Sequence, residues 1–253
     1  MHPDHASIDL ELNRRTQRAG RVDRGAHSPA RSRTGAIGST RFASRRSRAF
    51  TLIELLTVLV IIGLLTSLIF PAVRSARAMG NKAATRVRFN QWAGAMEGFR
   101  SEFGYYPALH SSNLVNPPGQ TTDPATLHLF HDVLAARRRD GSALPVYAAT
   151  TLSQFPEAQN RKLISFYSFG NADFTTGNLL RDAFENTAIA VLVDKDLDGI
   201  IKIGNDFTVL PAVNGMTPGN ADFPDAGVRA GVIFYSAVPG SSPANPEFIF
   251  SWK

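Results

Sequence analysis

Residues 50–70 read Phe-Thr-Leu-Ile-Glu-Leu-Leu-Thr-Val-Leu-Val-Ile-Ile-Gly-Leu-Leu-Thr-Ser-Leu-Ile-Phe and are closed by Pro71. As an α-helix rising 1.5 Å per residue, this run covers roughly 31 Å, the thickness of a bilayer's hydrocarbon core. A chain carrying it must place it in lipid or against other apolar helices. Glu54 is its one charged residue. A carboxylate toward mid-membrane costs on the order of 3 kcal/mol, so an ionisable residue there is a candidate functional residue.

The flanks separate the explanations. Upstream lies Arg45-Arg46-Ser47-Arg48-Ala49. A secretory signal has a shorter apolar region with its small-residue cleavage site on the far side, whereas here the small residue is on the near side. A plain signal anchor accounts for the basic flank and the apolar run, but gives Glu54 no role. The order basic leader, small residue, Phe-Thr-Leu-Ile-Glu-Leu-Leu resembles the prepilin processing site of type IV pilins and type II secretion pseudopilins. Pro71 falls where many members carry a helix-bending proline.

The resemblance implies that a membrane aspartic peptidase, the prepilin peptidase, cuts between Ala49 and Phe50 on the cytoplasmic side and methylates the new Phe50 amine. Ala49 stands where the family usually has Gly. Four residues of helix span roughly 6 Å, so Glu54 lies about one turn from that amine and near the helix's positive dipole end. The resemblance further implies that Glu54 meets the amine of a neighbouring subunit and sets axial register during assembly. A Glu merely tolerated at headgroup level is the open alternative.

Charge is unevenly spread over the 253 residues. Residues 1–49 hold 11 Arg, no Lys and 4 acids, leaving 16 basic and 17 acidic residues from 50 onward. The part after the leader is near neutral, and the whole-chain excess is no argument for nucleic acid, which is not expected as a partner. The leader is rich in Arg, Ser, Gly and Ala without usable periodicity and reads as disordered. An upstream start or a genuine long leader explains its length; a transit peptide is the weaker reading. There is no cysteine, which excludes disulfides and thiolate metal sites; because many type IV pilins close a C-terminal loop with a disulfide, the resemblance then leans toward the pseudopilin branch.

Beyond Pro71 the helical spacing resumes. Phe89, Trp92, Met96, Phe99 and Phe103 recur at intervals of three and four, with Arg88, Gln91, Arg100 and Glu102 off the stripe. Pro71 is therefore expected to bend the helix rather than end it, and Gly104 to stop it ahead of Tyr105-Tyr106-Pro107. Phe99-Arg100-Ser101-Glu102-Phe103-Gly104-Tyr105-Tyr106-Pro107 is similar to the helix end of the major pseudopilin.

Ala125–Arg137 reads as a short helix started by Thr122 or Asp123, and Arg137-Arg138-Arg139-Asp140-Gly141 as its solvated end. His128 and His131 share a face without a third ligand, which favours packing or surface over metal. Leu163–Phe169, Ala188–Val193, Ile200–Ile203, Gly231–Val238 and Glu247–Trp252 read as strands. The last two are similar to the final strands of the major pseudopilin. That family's calcium loop between them is not carried over, because Pro239–Pro246 has no carboxylate.

Asp194-Lys195-Asp196-Leu197-Asp198-Gly199 sets carboxylates at alternate positions before a glycine. The spacing can converge oxygens on Ca2+, as in half an EF-hand loop, with Asn205 and then Asp206 where the completing Glu belongs. The competing reading, slightly favoured, is a hairpin turn between Val193 and Ile200. No phosphate loop, nucleophile elbow or zinc spacing supports catalysis.

The fold expected is α+β and pilin-like: a long N-terminal helix, its first half transmembrane, with a small C-terminal antiparallel sheet packed on its second half. The organisation expected is a leader over 1–49, a transmembrane helix over 50–71, an amphipathic continuation over 72–106 and an extracytoplasmic domain over 107–253. Its function would be that of a pseudopilus or pilus subunit, with copies of itself and an inner-membrane assembly platform as partners. A non-polymerising membrane-anchored binding domain is the reading from another class.

Overall fold

The structure, a computed structural model, describes residues 50–145 and 155–253. The leader and Ala49 lie outside the described residues.

Helix α1 runs from Leu52 to Phe103, 52 residues with Pro71 inside it, or roughly 78 Å. Pro71 removes one backbone donor, and the regular spacing on both sides carries the helix through it. It ends where expected: Gly104 takes φ +82°, and its N–H donates to Arg100 O at 2.7 Å, a left-handed stop that costs glycine nothing.

The two halves of α1 have opposite surroundings. Apolar residues from Leu52 to Phe70 are all exposed, and the first buried residue of the helix is Thr85. In the first half, the hydroxyls of Thr57, Thr66 and Ser67 donate back to Glu54 O, Ile62 O and Leu64 O at 2.9, 2.7 and 2.7 Å. Their polar atoms are thereby satisfied within the helix, as a hydrocarbon solvent requires. In the second half Phe89, Trp92, Met96 and Phe99 are fully buried and Phe103 partly so, which is the predicted stripe.

The stripe faces a three-stranded antiparallel sheet. Its strands are β1 (Ile189–Val193), β4 (Val232–Ala237) and β5 (Phe248–Phe250), in the order β1-β4-β5 with Val191 opposite Phe234 and Ser236 opposite Ile249. The Phe234 ring lies 5.6 Å from that of Phe89 and 5.8 Å from that of Trp92, centroid to centroid. Gly231 lets the sheet approach the end of α1. A Cβ there would sit 1.9 Å from the Tyr106 hydroxyl oxygen and 2.2 Å from Glu97 Oε1, the pair joined by a 2.6 Å bond that Tyr106 donates.

The far face of the sheet is covered too. Ala190, Leu192, Ile233, Tyr235 and Phe250 pack against Ile201, Phe207, Val213, Met216, Phe223 and Val228. These last come from the segment between β1 and β4, which forms its own two-stranded sheet of β2 (Ile200–Ile201) and β3 (Val228–Arg229). The sheet is thus buried on both sides, and every residue of β1 and β4 is buried.

Several expectations are corrected. Val193 and Ile200 do not flank a hairpin, because β1 pairs with β4 and β2 with β3; the Asp194 loop carries the chain from one sheet to the other. Leu163–Phe169 is not a strand. Its Phe166 and Tyr167 N–H groups both donate to Leu134 O, and its rings pack on α1, Phe166 at 5.4 Å from Phe99. Helix α2 spans only Leu129–Ala135, since the Asp132 carboxylate accepts the His128 N–H at 3.1 Å and starts it there instead of at Thr122 or Asp123. The arginine run is not free in solvent: Arg138 pairs with buried Asp132 at 2.9 Å, and the Arg139 guanidinium lies 3.7 Å above the Phe174 ring centre. A one-turn helix, α3, covers Pro156–Gln159.

Two buried phenols set an alkaline limit. Tyr235 is fully buried and donates to Pro211 O at 2.6 Å. Burial pushes its ionisation far up, and burial followed by the Glu97 contact does the same for Tyr106. The unfolded chain loses these protons near pH 10, roughly the free phenol value, while the folded chain keeps them. Stability is therefore expected to hold below that pH and to fall above it by about 1.4 kcal/mol per pH unit for each phenol. Urea midpoints across the alkaline range check this, with Tyr235→Phe expected to flatten the decline.

Candidate functional site

The amino-terminal site is built on a helix that is apolar all round. Glu54 sits in the first turn of α1, where the unsatisfied N–H groups and the dipole favour negative charge. Phe50 is 79 % exposed, and the apolar residues that follow form an uncovered cylinder up to Phe70. Pro71 lies at the end of that cylinder, and Arg74 and Arg77 come directly after it, exposed. Among the described residues this is the one helix long and apolar enough to cross a membrane.

The second candidate is the loop after β1. One oxygen each of Asp194, Asp196 and Asp198 lie within 4.8 Å of one another, so the structure brings together the three carboxylates that the spacing singled out. They also brace the loop. Asp194 accepts the N–H groups of Asp198 and Gly199 at 3.2 and 2.8 Å, and Asp198 accepts that of Ile200 at 2.7 Å. The expected completing residues divide: Asn205 donates its amide to Asp196 at 3.3 Å, whereas buried Asp206 accepts the N–H groups of Lys195 and Lys202 at 2.6 and 2.8 Å. Asp194 is buried, and burial lifts its carboxyl above the usual range, partly offset by the Gly199 N–H. Chemically the loop offers hard oxygen donors of the kind Ca2+ takes, already engaged in holding the turn.

His128 and His131 are buried, with ring nitrogens 3.0 Å from Asp123 O and 2.8 Å from Asp132 Oδ1. They are packing residues.

Sequence reasoning missed Asp182. It is 1 % exposed, and its two oxygens accept from the Phe184 and Asn186 N–H groups, the Asn186 side chain and the Ser236 hydroxyl, all between 2.8 and 3.0 Å. The signal available was the Asp-Ala-Phe-Glu-Asn order, in which an Asp reaches forward to hold its own turn.

An exposed apolar rod, acidic in its first turn and continuous with a helix that cores a small α+β domain, suggests a single-pass membrane anchor. Residues 44–70 match the family model described as the prokaryotic N-terminal methylation motif, which indicates a type IV pilin-like or pseudopilin-like protein. Prepilin processing and pilin-like assembly follow from that motif, whose family is structural and not catalytic. No curated protein and no solved structure matches the chain.

Proposed function

We propose that the chain is a pseudopilin, cut by the prepilin peptidase between Ala49 and Phe50, methylated at the Phe50 amine, and assembled into a type II secretion pseudopilus. The leader is cytoplasmic, the first half of α1 spans the bacterial inner membrane, and the domain after Gly104 is periplasmic. An inner-membrane assembly platform draws the subunit out to join copies of itself and other pseudopilins, with Pro71 letting the rod bend as it leaves lipid.

The observation that carries this reading is the bare first half of α1. No residue of it before Thr85 is buried, so its apolar surface finds no partner among the described residues and is free to meet first lipid and then neighbouring rods. Glu54 marks the register at which neighbours meet. The absence of cysteine and the sequence of the last strands favour the secretion machine over a type IV pilus.

Amino-terminal sequencing of membrane-extracted protein tests it. The mature chain is expected to begin at Phe50 and to carry one methyl group. Arg48 still joined through Ala49 to the rod would leave a tethered domain instead. Deletion in the native host then separates the machines: lost export of a secreted protein marks type II secretion, and lost surface fibres mark a pilus.

A further inference from the structure

A strand ladder breaks off at the end of β1, and a cavity of about 300 Å³ opens where it stops. The strap that leaves α1 comes back antiparallel to β1 around Leu114 and Ala190. Two bonds join them, Val115 N–H to Ile189 O and Val191 N–H to Asn113 O, both 2.9 Å. Continued for two more residues, that register would set Ser111 opposite Val193. The chain turns instead: Asn113 takes φ +51° and gives its N–H to His110 O at 2.9 Å.

Val193 is left facing the gap. Bonds between β1 and β4 fall on alternate residues, and the bond from Asp194 N–H to Gly231 O at 2.9 Å fixes which ones. Val193, like Val191, therefore points its N–H and C=O away from β4 and toward the cavity. Neither group finds a partner among the described residues, although Val193 is only 8 % exposed. Buried backbone groups are nearly always paired. Here the missing pair is one donor and one acceptor at strand spacing, the two groups that an extended residue at the place of Ser111 would bring.

The rest of the lining sets the ligand's character. Tyr105, Tyr106 and Leu109 form the wall opposite Val191 and Val193, and both phenol hydroxyls are committed, Tyr105 to Gln159 O and Tyr106 to Glu97. That wall offers aromatic and apolar surface. At the rim the Asp194 carboxylate is taken up by the N–H groups of Asp198 and Gly199, His110 Nδ1 meets Ser112 Oγ at 2.9 Å, and the Lys195 side chain is exposed. No charge is called for.

We propose that this slot takes a short, uncharged, extended segment of another protein, which adds one residue pair to β1 at Val193 and lays an apolar side chain against Tyr105, Tyr106 and Leu109. Every strand among the described residues already lies in one of the chain's own two sheets, which leaves a second copy no strand to give. The site stands apart from the assembly reading, since binding requires neither processing at Phe50 nor a filament.

Calorimetric titration of the full chain in detergent micelles, with a micelle-only blank, tests it using the capped tripeptide acetyl-Val-Thr-Val-amide as the probe. Saturable one-site binding is expected, weakened at least about tenfold when the peptide's backbone amides are N-methylated, because that keeps the side chains and removes the donors. Val193→Pro deletes the N–H that faces the cavity and none that faces β4, a position where a strand accepts proline, and is expected to weaken binding by a similar factor. Ser111→Trp at the exposed rim is expected to block the slot with the unfolding midpoint unchanged, and it decides the matter with the methylated peptide should Val193→Pro unfold. The proposal is overturned by an absence of saturable heat, by equal affinity for the methylated peptide, or by full binding in Ser111→Trp. Self-association of the chain that the Ser111→Trp variant abolishes would hand the slot to a second copy and overturn it as well.

Discussion

Protein carrying Glu54→Ala is expected to enter the membrane as well as the unaltered chain and to be missing from filaments. Insertion does not suffer, because the change removes a carboxylate that costs on the order of 3 kcal/mol in hydrocarbon and puts the best helix former in its place. Under the proposed processing, assembly suffers because the Phe50 amine exposed by cleavage would have a positive charge to settle inside a bundle of apolar rods. In so dry a place, an opposite charge within a few ångströms outweighs anything available on the exposed surface, and salt screens it little. A drop of at least about tenfold in filament incorporation corresponds to about 1.4 kcal/mol, well within what a desolvated charge pair supplies. Membrane fractionation and filament shearing, measured on the same cells, check both halves of the expectation. Glu54→Gln keeps the shape and a hydrogen-bond acceptor but no charge, and is expected to fail as well. Filaments of normal yield from either variant would reduce Glu54 to a residue tolerated at the headgroup level.

That the methylation motif and the apolar span were legible follows from how little folding they need. A membrane span is a matter of length and composition, and the order of residues from Ala49 through Glu54 lies in one short stretch. The buried stripe on α1 was legible for the same reason: Phe89, Trp92, Met96 and Phe99 repeat at helical spacing, and spacing is visible in a sequence. The sheet was different. Ile-Ala-Val-Leu-Val in β1 and Val-Ile-Phe-Tyr-Ser-Ala in β4 are buried throughout; such continuous apolar runs fit a strand covered on both faces, but they do not say which segment supplies the second cover. The Asp198-Gly199 pair carried a true turn signal and a false partner. Leu197 and Gly199 take φ +62° and +86° and turn the chain, but onto the far face of the sheet, which local sequence does not specify. Leu163–Phe169 shows the opposite failure: its alternation is real, yet its Leu163 and Ile164 N–H groups go to Asn160 and those of Phe166 and Tyr167 to Leu134 O, which builds no ladder.

The Asp182 cluster was hidden because its partners are remote in sequence, and it carries the largest stability effect expected. Ser236 on β4 donates to Asp182 at 2.8 Å, while Ala183 N–H donates to Thr85 Oγ1 on α1 at 3.2 Å. Asn186, held by Asp182, passes its amide on to Ala237 O at 2.8 Å. One turn thus ties helix to sheet at a point where Thr85, Asp182 and Ser236 are all essentially without solvent. Asp182→Ala would leave the half-buried Phe184 and Asn186 N–H groups and the buried Ser236 hydroxyl without their acceptor. Each such loss costs roughly 1–3 kcal/mol, and their shared geometry makes a sum unsafe, so a fall on the order of 4 kcal/mol is the expectation. For a chain of this size that lowers the midpoint by about 10 °C. Asp182→Asn keeps one oxygen for the two backbone donors but turns an amide toward the Asn186 amide, and is expected to lose about half as much. Urea unfolding of the full chain in micelles, followed through the buried Trp92, checks the order of the two variants. The denaturant slope should stay constant, because the surface exposed on unfolding is unchanged. Membrane insertion should be untouched in both, since the rod before Thr85 shares no buried contact with the cluster.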